Sequence, residues 1–222
     1  LSGVTGEIHN LIVETRQREL YIGHDGKFIT HFDITDKARP RLVQKQQVVA
    51  EGDTLSALNI LSGGFSLIVG TDKGNLSQWF LVRDEKNLYT LTHIRDFRPM
   101  PGKVTTLAPE YFRKGFVAGD NQGTVGLYYA TSQKLLWREQ VGKGGVVAAE
   151  TTPRANGLLI QSADGKLHAA EVENEFPEVS FSSLWQKVWY ESYEKPEFIW
   201  QSAAATNDFE PKFSLAPLTL GT

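Results

Sequence analysis

The residues that could do chemistry in this chain are few. Its five histidines are His9, His24, His31, His93 and His168. No two stand at the His-x-x-x-His spacing that puts imidazoles on one helical face, and none carries an adjoining carboxylate pattern for zinc. Cysteine is absent, which removes disulfides, thiolate metal sites and a thiol nucleophile together. No Gly-x-Ser-x-Gly elbow, P-loop or dinucleotide fingerprint occurs. Ser, His and Asp are all present, but a triad is defined by geometry that spacing does not supply. No catalytic residue, metal ligand or cofactor is assigned on these grounds, and the chain reads as a non-enzyme.

Three patterns invite a site. His24 beside Asp25 could be a ligand or a base, although a histidine in a turn ordinarily bonds backbone. Asp25, Asp72, Asp120 and Asp164 recur at what read as equivalent turn positions, so they could form a carboxylate ring. Turn geometry explains the recurrence as well, since each turn needs the same side-chain-to-backbone bond. Lys143, Gly144 and Gly145, within "VGKGGVV", have the composition of an anion-binding nest, and a glycine-rich connection accounts for them equally.

These residues sit on a repeat. "YIGHDGKFITHFDI", "LIVGTDKGNLSQWFLV", "FVAGDNQGTVGLYYA" and "LIQSADGKLHAAEV" each read as two strands folded on a polar turn, with turn glycines Gly26, Gly74, Gly123 and Gly165 spaced 48, 49 and 42 residues apart. Tight hairpins need positive φ, which Gly, Asn and Asp tolerate at least cost. A further strand-like segment precedes and follows each hairpin, giving four strands per unit, and periods near 45 residues indicate propeller blades. The expectation is an all-β chain, a partial β-propeller of about four WD-repeat-like or quinoprotein-like blades at about 5–50, 53–98, 102–142 and 145–181. Trp79 and Trp137 are expected between blades.

Composition agrees with a folded chain. It has 222 residues, 41% hydrophobic and 22% charged, enough for a sizeable core without staples. A net charge of -3 gives no basic field for duplex nucleic acid or for a polybasic membrane contact. No run approaches the roughly 20 apolar residues of a spanning helix. The start at Leu1 and the small blade count suggest a piece of something longer, whose open faces would favour oligomers of the fragment.

From Phe181 the hairpin signal stops, and residues 182–222 read as an aromatic-rich linker holding Trp185, Trp189 and Trp200. Phe181, Leu184, Trp185 and Val188 fall at i, i+3, i+4, i+7, predicting a short amphipathic helix up to about Tyr193, ended by Lys195-Pro196. After Pro196 the expectation is extended chain held by isolated aromatic contacts, without sheet hydrogen bonds. The three tryptophans suit a membrane–water boundary, or an apolar stripe on the propeller.

The end of the chain, "EFIWQSAAATNDFEPKFSLAPLTLGT", resembles the stretch that leads into the membrane domain of PstC-like phosphate ABC-transporter permease subunits. The residues that carry the likeness are Trp200, Asn207, Asp208, Phe209, Pro217, Leu218, Gly221 and Thr222. The resemblance covers about 25 residues and implies an inner-membrane protein whose large propeller insert, this chain, is periplasmic and precedes the permease core. It further implies as partners the permease core of the same chain, the paired permease subunit and the periplasmic phosphate-binding protein, with the membrane adjacent. Membrane helices and the ATPase-docking loop lie outside this sequence. The rival expectation is a quinoprotein-like or other propeller enzyme with a ligand in its central channel.

Overall fold

The structure, a computed structural model, describes residues 1–173, 176–201 and 210–219. Four antiparallel sheets follow in chain order. The first is β1 (Ile8–Val13), β2 (Glu19–His24), β3 (Phe28–Asp33) and β4 (Arg41–Gln47). The second is β5 (Leu55–Ile60), β6 (Leu67–Thr71), β7 (Leu76–Arg83) and β8 (Tyr89–Phe97). The third is β9 (Val104–Pro109), β10 (Gly115–Asp120), β11 (Thr124–Tyr129) and β12 (Lys134–Gln140). The fourth has three strands, β13 (Val146–Thr151), β14 (Gly157–Ser162) and β15 (Leu167–Glu171). Each sheet is a meander whose neighbours in sequence are neighbours in space, which is the propeller blade.

The fourth blade corrects the expectation of four strands per unit, at least among the described residues. After β15 the sequence loses alternation, and Pro177 draws the chain toward blade 3, where its carbonyl accepts from Ser132 Oγ at 2.6 Å. A proline cannot donate to a ladder, so a fourth strand there lacks both its pattern and a donor.

Burial follows the alternation of each strand. Tyr21 and Ile29 of blade 1 meet Leu67, Val69 and Trp79 of blade 2. Ile68 and Leu76 of blade 2 meet Leu107, Phe116 and Tyr128 of blade 3, with Phe97 edge-on to Phe116 at 5.1 Å. Val117, Val125 and Leu127 meet Val146, Leu158 and Ile160 of blade 4, with Trp137 packed beside them. Each fully buried aliphatic or aromatic side chain contributes about 1.5–3 kcal/mol, so the three blade junctions hold the fold. Both tryptophans expected between blades lie there.

The strong contacts run in series from blade 1 to blade 4. Leu11 and Val13 of β1, and Leu159 and Leu167 of blade 4, are exposed. The blades therefore form an arc whose first and last faces do not meet.

The turn glycines all have positive φ, 61°, 85°, 89° and 81° at Gly26, Gly74, Gly123 and Gly165. The turns are not identical. In blades 2, 3 and 4 the glycine amide donates to the carbonyl of Thr71, Asp120 or Ser162 at 3.1, 3.3 and 2.9 Å. In blade 1 it is Lys27 that donates to His24, at 3.2 Å, across a turn of the same length in which the glycine sits one position earlier and Asp25 also has positive φ. The equivalent strand ends are therefore His24, Thr71, Asp120 and Ser162. The carboxylate ring is thereby corrected: Asp25 and Asp72 open their turns, Asp120 closes a strand, and Asp164 lies two residues past one. Asp120 and Asp164 serve their own turns, whereas Asp72 ties its turn to the connection that leads into β5. Asp72 accepts from the Thr54 amide at 2.7 Å, Asp120 from the amides of Gln122 and Thr124 at 3.0 and 2.8 Å, and Asp164 from that of Lys166 at 3.3 Å.

Candidate functional site: the docked tail

Beyond blade 4 the chain turns back across blades 2 and 3. It begins with α1 (Phe181–Trp185), whose N-cap Ser180 accepts from the Ser183 amide at 3.1 Å while Ser183 Oγ accepts from the Ser180 amide at 2.8 Å, a reciprocal cap. Gln186 is already extended, so the helix expected up to about Tyr193 stops after little more than one turn. What competes with the helix is pairing: Val188 and Glu197 exchange backbone hydrogen bonds at 3.0 Å each. Farther on, β16 (Trp200–Gln201) pairs with β17 (Lys212–Phe213), and α2 (Ala216–Thr219) follows. The expectation that the chain after Pro196 makes no sheet hydrogen bonds is corrected by these two pairings.

The described part of residues 182–222 is anchored by charge buried against the propeller. Glu191 receives Lys114 Nζ at 2.7 Å and Ser66 Oγ at 2.5 Å, and Gln78 donates to Ser66 Oγ at 2.8 Å. Lys114 also donates to the Ser62 carbonyl at 2.6 Å. Glu210 accepts from Thr131 Oγ1 at 2.7 Å and from the Glu191 amide at 2.8 Å. Arg95 of β8 donates to the carbonyls of Ala130, at 2.8 Å, and Trp189. Lys212 lies over the rings of Tyr190 and Tyr193, at 5.3 and 5.8 Å. Blades 2 and 3 and the tail thus each supply charged or polar groups to one dry cluster. Burial, with Glu191 nearby, pushes the Glu210 carboxyl up to about 7, and burial lowers Arg95.

The three tryptophans separate. Trp189 is half-buried, edge-on to Phe80 at 6.2 Å, with Nε1 donating to the Tyr193 carbonyl at 2.9 Å. Trp185 and Trp200 are exposed, as are Phe181, Phe198 and Leu218. Pro217 and Leu218 lie in α2, whereas Asn207, Asp208, Phe209, Gly221 and Thr222 fall outside the described residues. No helix among the described residues is long and apolar enough to cross a membrane.

Four of the five histidines, His24, His31, His93 and His168, bond neighbouring groups. His24 is buried between Thr30 Oγ1 and the Thr5 carbonyl, at 2.7 Å each. His31 bonds Glu19 and stacks on Tyr21. His168 Nε2 lies 3.1 Å from Ser162 Oγ, but that hydroxyl donates to Asp164, so the acid sits on the serine and not behind the imidazole as a triad needs. His93 pairs with Asp96 at 2.8 Å on a cavity of about 610 Å³ between blades 1 and 2, which Asp53 and Trp79 also line. Among the described residues no group of three or more His, Asp or Glu could hold a metal ion. Lys143, Gly144 and Gly145 form the connection from β12 to β13, with Gly144 at φ 91° and its carbonyl against Gly123. The buried cluster escaped the sequence, and the one signal for it was an unusual density of Glu and Lys among aromatics after Trp185.

The arc and its meander sheets define a β-propeller. No family model matches the chain, and no curated protein does. Among solved structures it is similar to the computationally designed Ika4 protein, at 16% identity and a TM-score of 0.62, over 78% of this chain and 96% of that one. It is similar to U3-55K, at 14% identity and a TM-score of 0.65, over 78% of this chain and 51% of that one. The RRP9 WD40 repeats match at 14% identity and a TM-score of 0.65, over 78% and 50%. The chain spans about half the length of these WD40 propellers, and identities this low speak for the fold alone.

Proposed function

We propose that the chain is a non-catalytic interaction domain, the periplasmic propeller of an inner-membrane ABC importer permease of the phosphate type. The observation that supports it is the polarity of the docked tail. Glu191 and Glu210 turn inward onto blades 2 and 3, while Phe181, Trp185, Phe198, Trp200 and Leu218 face out. A tail anchored by buried charge that leaves several large apolar side chains outside is suited to resting on an interfacial surface. Together with the permease-like end of the sequence, this makes the tail the part that meets the membrane domain. The propeller is then held at a fixed attitude above the permease core, the paired subunit and the phosphate-binding protein that docks there. Trp185→Ala with Trp200→Ala, made in the full-length permease, is expected to lower co-purification of the paired subunit and phosphate uptake. The isolated domain carrying both changes is expected to keep its fold. Unchanged assembly and uptake would count against the reading.

A further inference from the structure

At each blade junction one side chain of the incoming blade enters the space left by a glycine. A Cβ on Gly23 would lie 3.1 Å from Leu55 Cδ2, one on Gly70 2.6 Å from Val104 Cγ1, and one on Gly119 2.6 Å from Val146 Cγ1. The three are equivalent by register. Each glycine directly precedes the end of its blade's second strand, and each inserted residue pairs with that strand's end in its own blade, as Leu55 with Thr71, Val104 with Asp120 and Val146 with Ser162. Interiors packed to this density tolerate neither a missing knob nor a filled hole.

The same register applied to the ends of the arc gives unequal results. The inserting residue of blade 1 is Ile8, which pairs with His24. Leu55, Val104 and Val146 are 3%, 0% and 2% exposed, and Ile8 is 51% exposed. The glycine position of blade 4 is Gln161, paired with Ala148 as Gly70 is with Ala57. A second device is missing there too. Ser56 Oγ donates to the Val104 carbonyl at 2.7 Å and Thr105 Oγ1 to that of Val146 at 2.6 Å, but the matching residue of blade 4 is Val147, 56% exposed. Junction 1–2 has His9 at that place and holds without the hydroxyl, so the glycine is the constant element. Across the outer half of blade 1 the N-terminal residue Val4 covers Ile22 and Phe32, leaving Ile8, Leu11 and Val13 bare along the inner strand.

We propose that blade 1 presents a docking face for one further β-blade, and that blade 4 ends the array. The fitting partner is a blade with glycine one residue before the end of its second strand, which receives Ile8. A second copy of this chain does not fit, because the face it would offer carries Gln161, whose side chain would overfill the site and bury an unpaired amide. The proposal is independent of the permease reading.

The test uses the protein itself as the probe. By light scattering the natural sequence is expected to be monomeric. Gln161→Gly with Val147→Ser opens the missing hole on blade 4 and is expected to at least double the mass, and adding Ile8→Asp restores the monomer. A mixture keeps the test decisive if self-association perturbs folding: the natural sequence supplies Ile8, and the triple variant supplies only the hole, so the two should form a one-to-one complex. Ile8-dependent association of the natural sequence, or a folded Gln161→Gly/Val147→Ser variant that stays monomeric alone and in the mixture, would overturn the proposal.

Discussion

The blade junctions and the tail junction hold the same molecule together by opposite means. Between blades the contact is dry, apolar and repeated, with a side chain of one blade seated on a glycine of the last. Between tail and propeller it is dry but ionic and occurs once, with Glu191, Glu210, Lys114, Lys212 and Arg95 all buried. Shape, with a hydroxyl-to-carbonyl bond from Ser56 or Thr105 at two of the three junctions, specifies the first. The second is specified by pairing, because a carboxylate in a low-dielectric site is tolerable only where its donors are in place.

The sharpest way to break this contrast is Lys114→Met, which leaves Glu191 buried without its cation. Loss of one partner of a buried pair costs about 3–5 kcal/mol. Because the tail can leave and rehydrate its carboxylates, the loss should fall on docking: limited proteolysis should cut the tail while the blades still melt cooperatively. Gly23→Val, at the junction of blades 1 and 2, should do the reverse. Overpacking of about 1–3 kcal/mol would lower the denaturation midpoint of the blades, with no added cleavage of the tail.

Smaller still is the effect of pH. The Glu210 carboxyl is raised from 4.5 to about 7, so its contribution to docking is complete below about pH 4.5 and is lost as pH rises through about 7. Proteolytic exposure of the tail should grow from pH 6 to pH 8, and Glu210→Gln should flatten that rise. The groups that face it, Glu191, Arg95 and Tyr190, set the size of the change. The smallest effect belongs to Trp185→Ala with Trp200→Ala: both rings are exposed, so the melting curve should move by no more than about 0.5 kcal/mol.

Much of the first junction was legible in the sequence and almost none of the second. The hairpins announced themselves because turn chemistry admits few residues, and Gly74, Gly123 and Gly165 stand where they were placed. The aspartate ring failed on register: measured from the equivalent strand ends, Asp25 and Asp72 stand one residue past, Asp120 at the end itself and Asp164 two residues past, while Gly26 sits one turn position earlier than Gly74, Gly123 and Gly165. Gly23, Gly70 and Gly119 were in plain view in "GHDG", "GTDKG" and "GDNQG", against "QSADG" in blade 4. They carry no periodic signal, because what makes them necessary is a side chain some fifty or fewer residues away that only the fold brings near. The tail was misread for a related reason. Glu191, Glu210 and Lys212 look like solvated charges in a linear string, and their burial depends on Ser66, Lys114 and Thr131, which belong to other blades. Trp185 and Trp189, four residues apart, looked alike until the short helix ended between them and turned one ring out and the other in.

Arrays of repeats tend to fray from their ends, because each unit leans only on its neighbours. The docked tail alters that rule here. Its Glu191 side chain is bonded to Ser66, 125 residues earlier in the chain, so the segment that follows blade 4 is fastened to blade 2. Peeling the last blade away therefore pulls on a lock two blades back, and the lock itself cannot form until blades 2 and 3 stand together. The chain should consequently unfold as one unit from that side, with docking of the tail as the late step that commits blades 2 to 4 to a common fate.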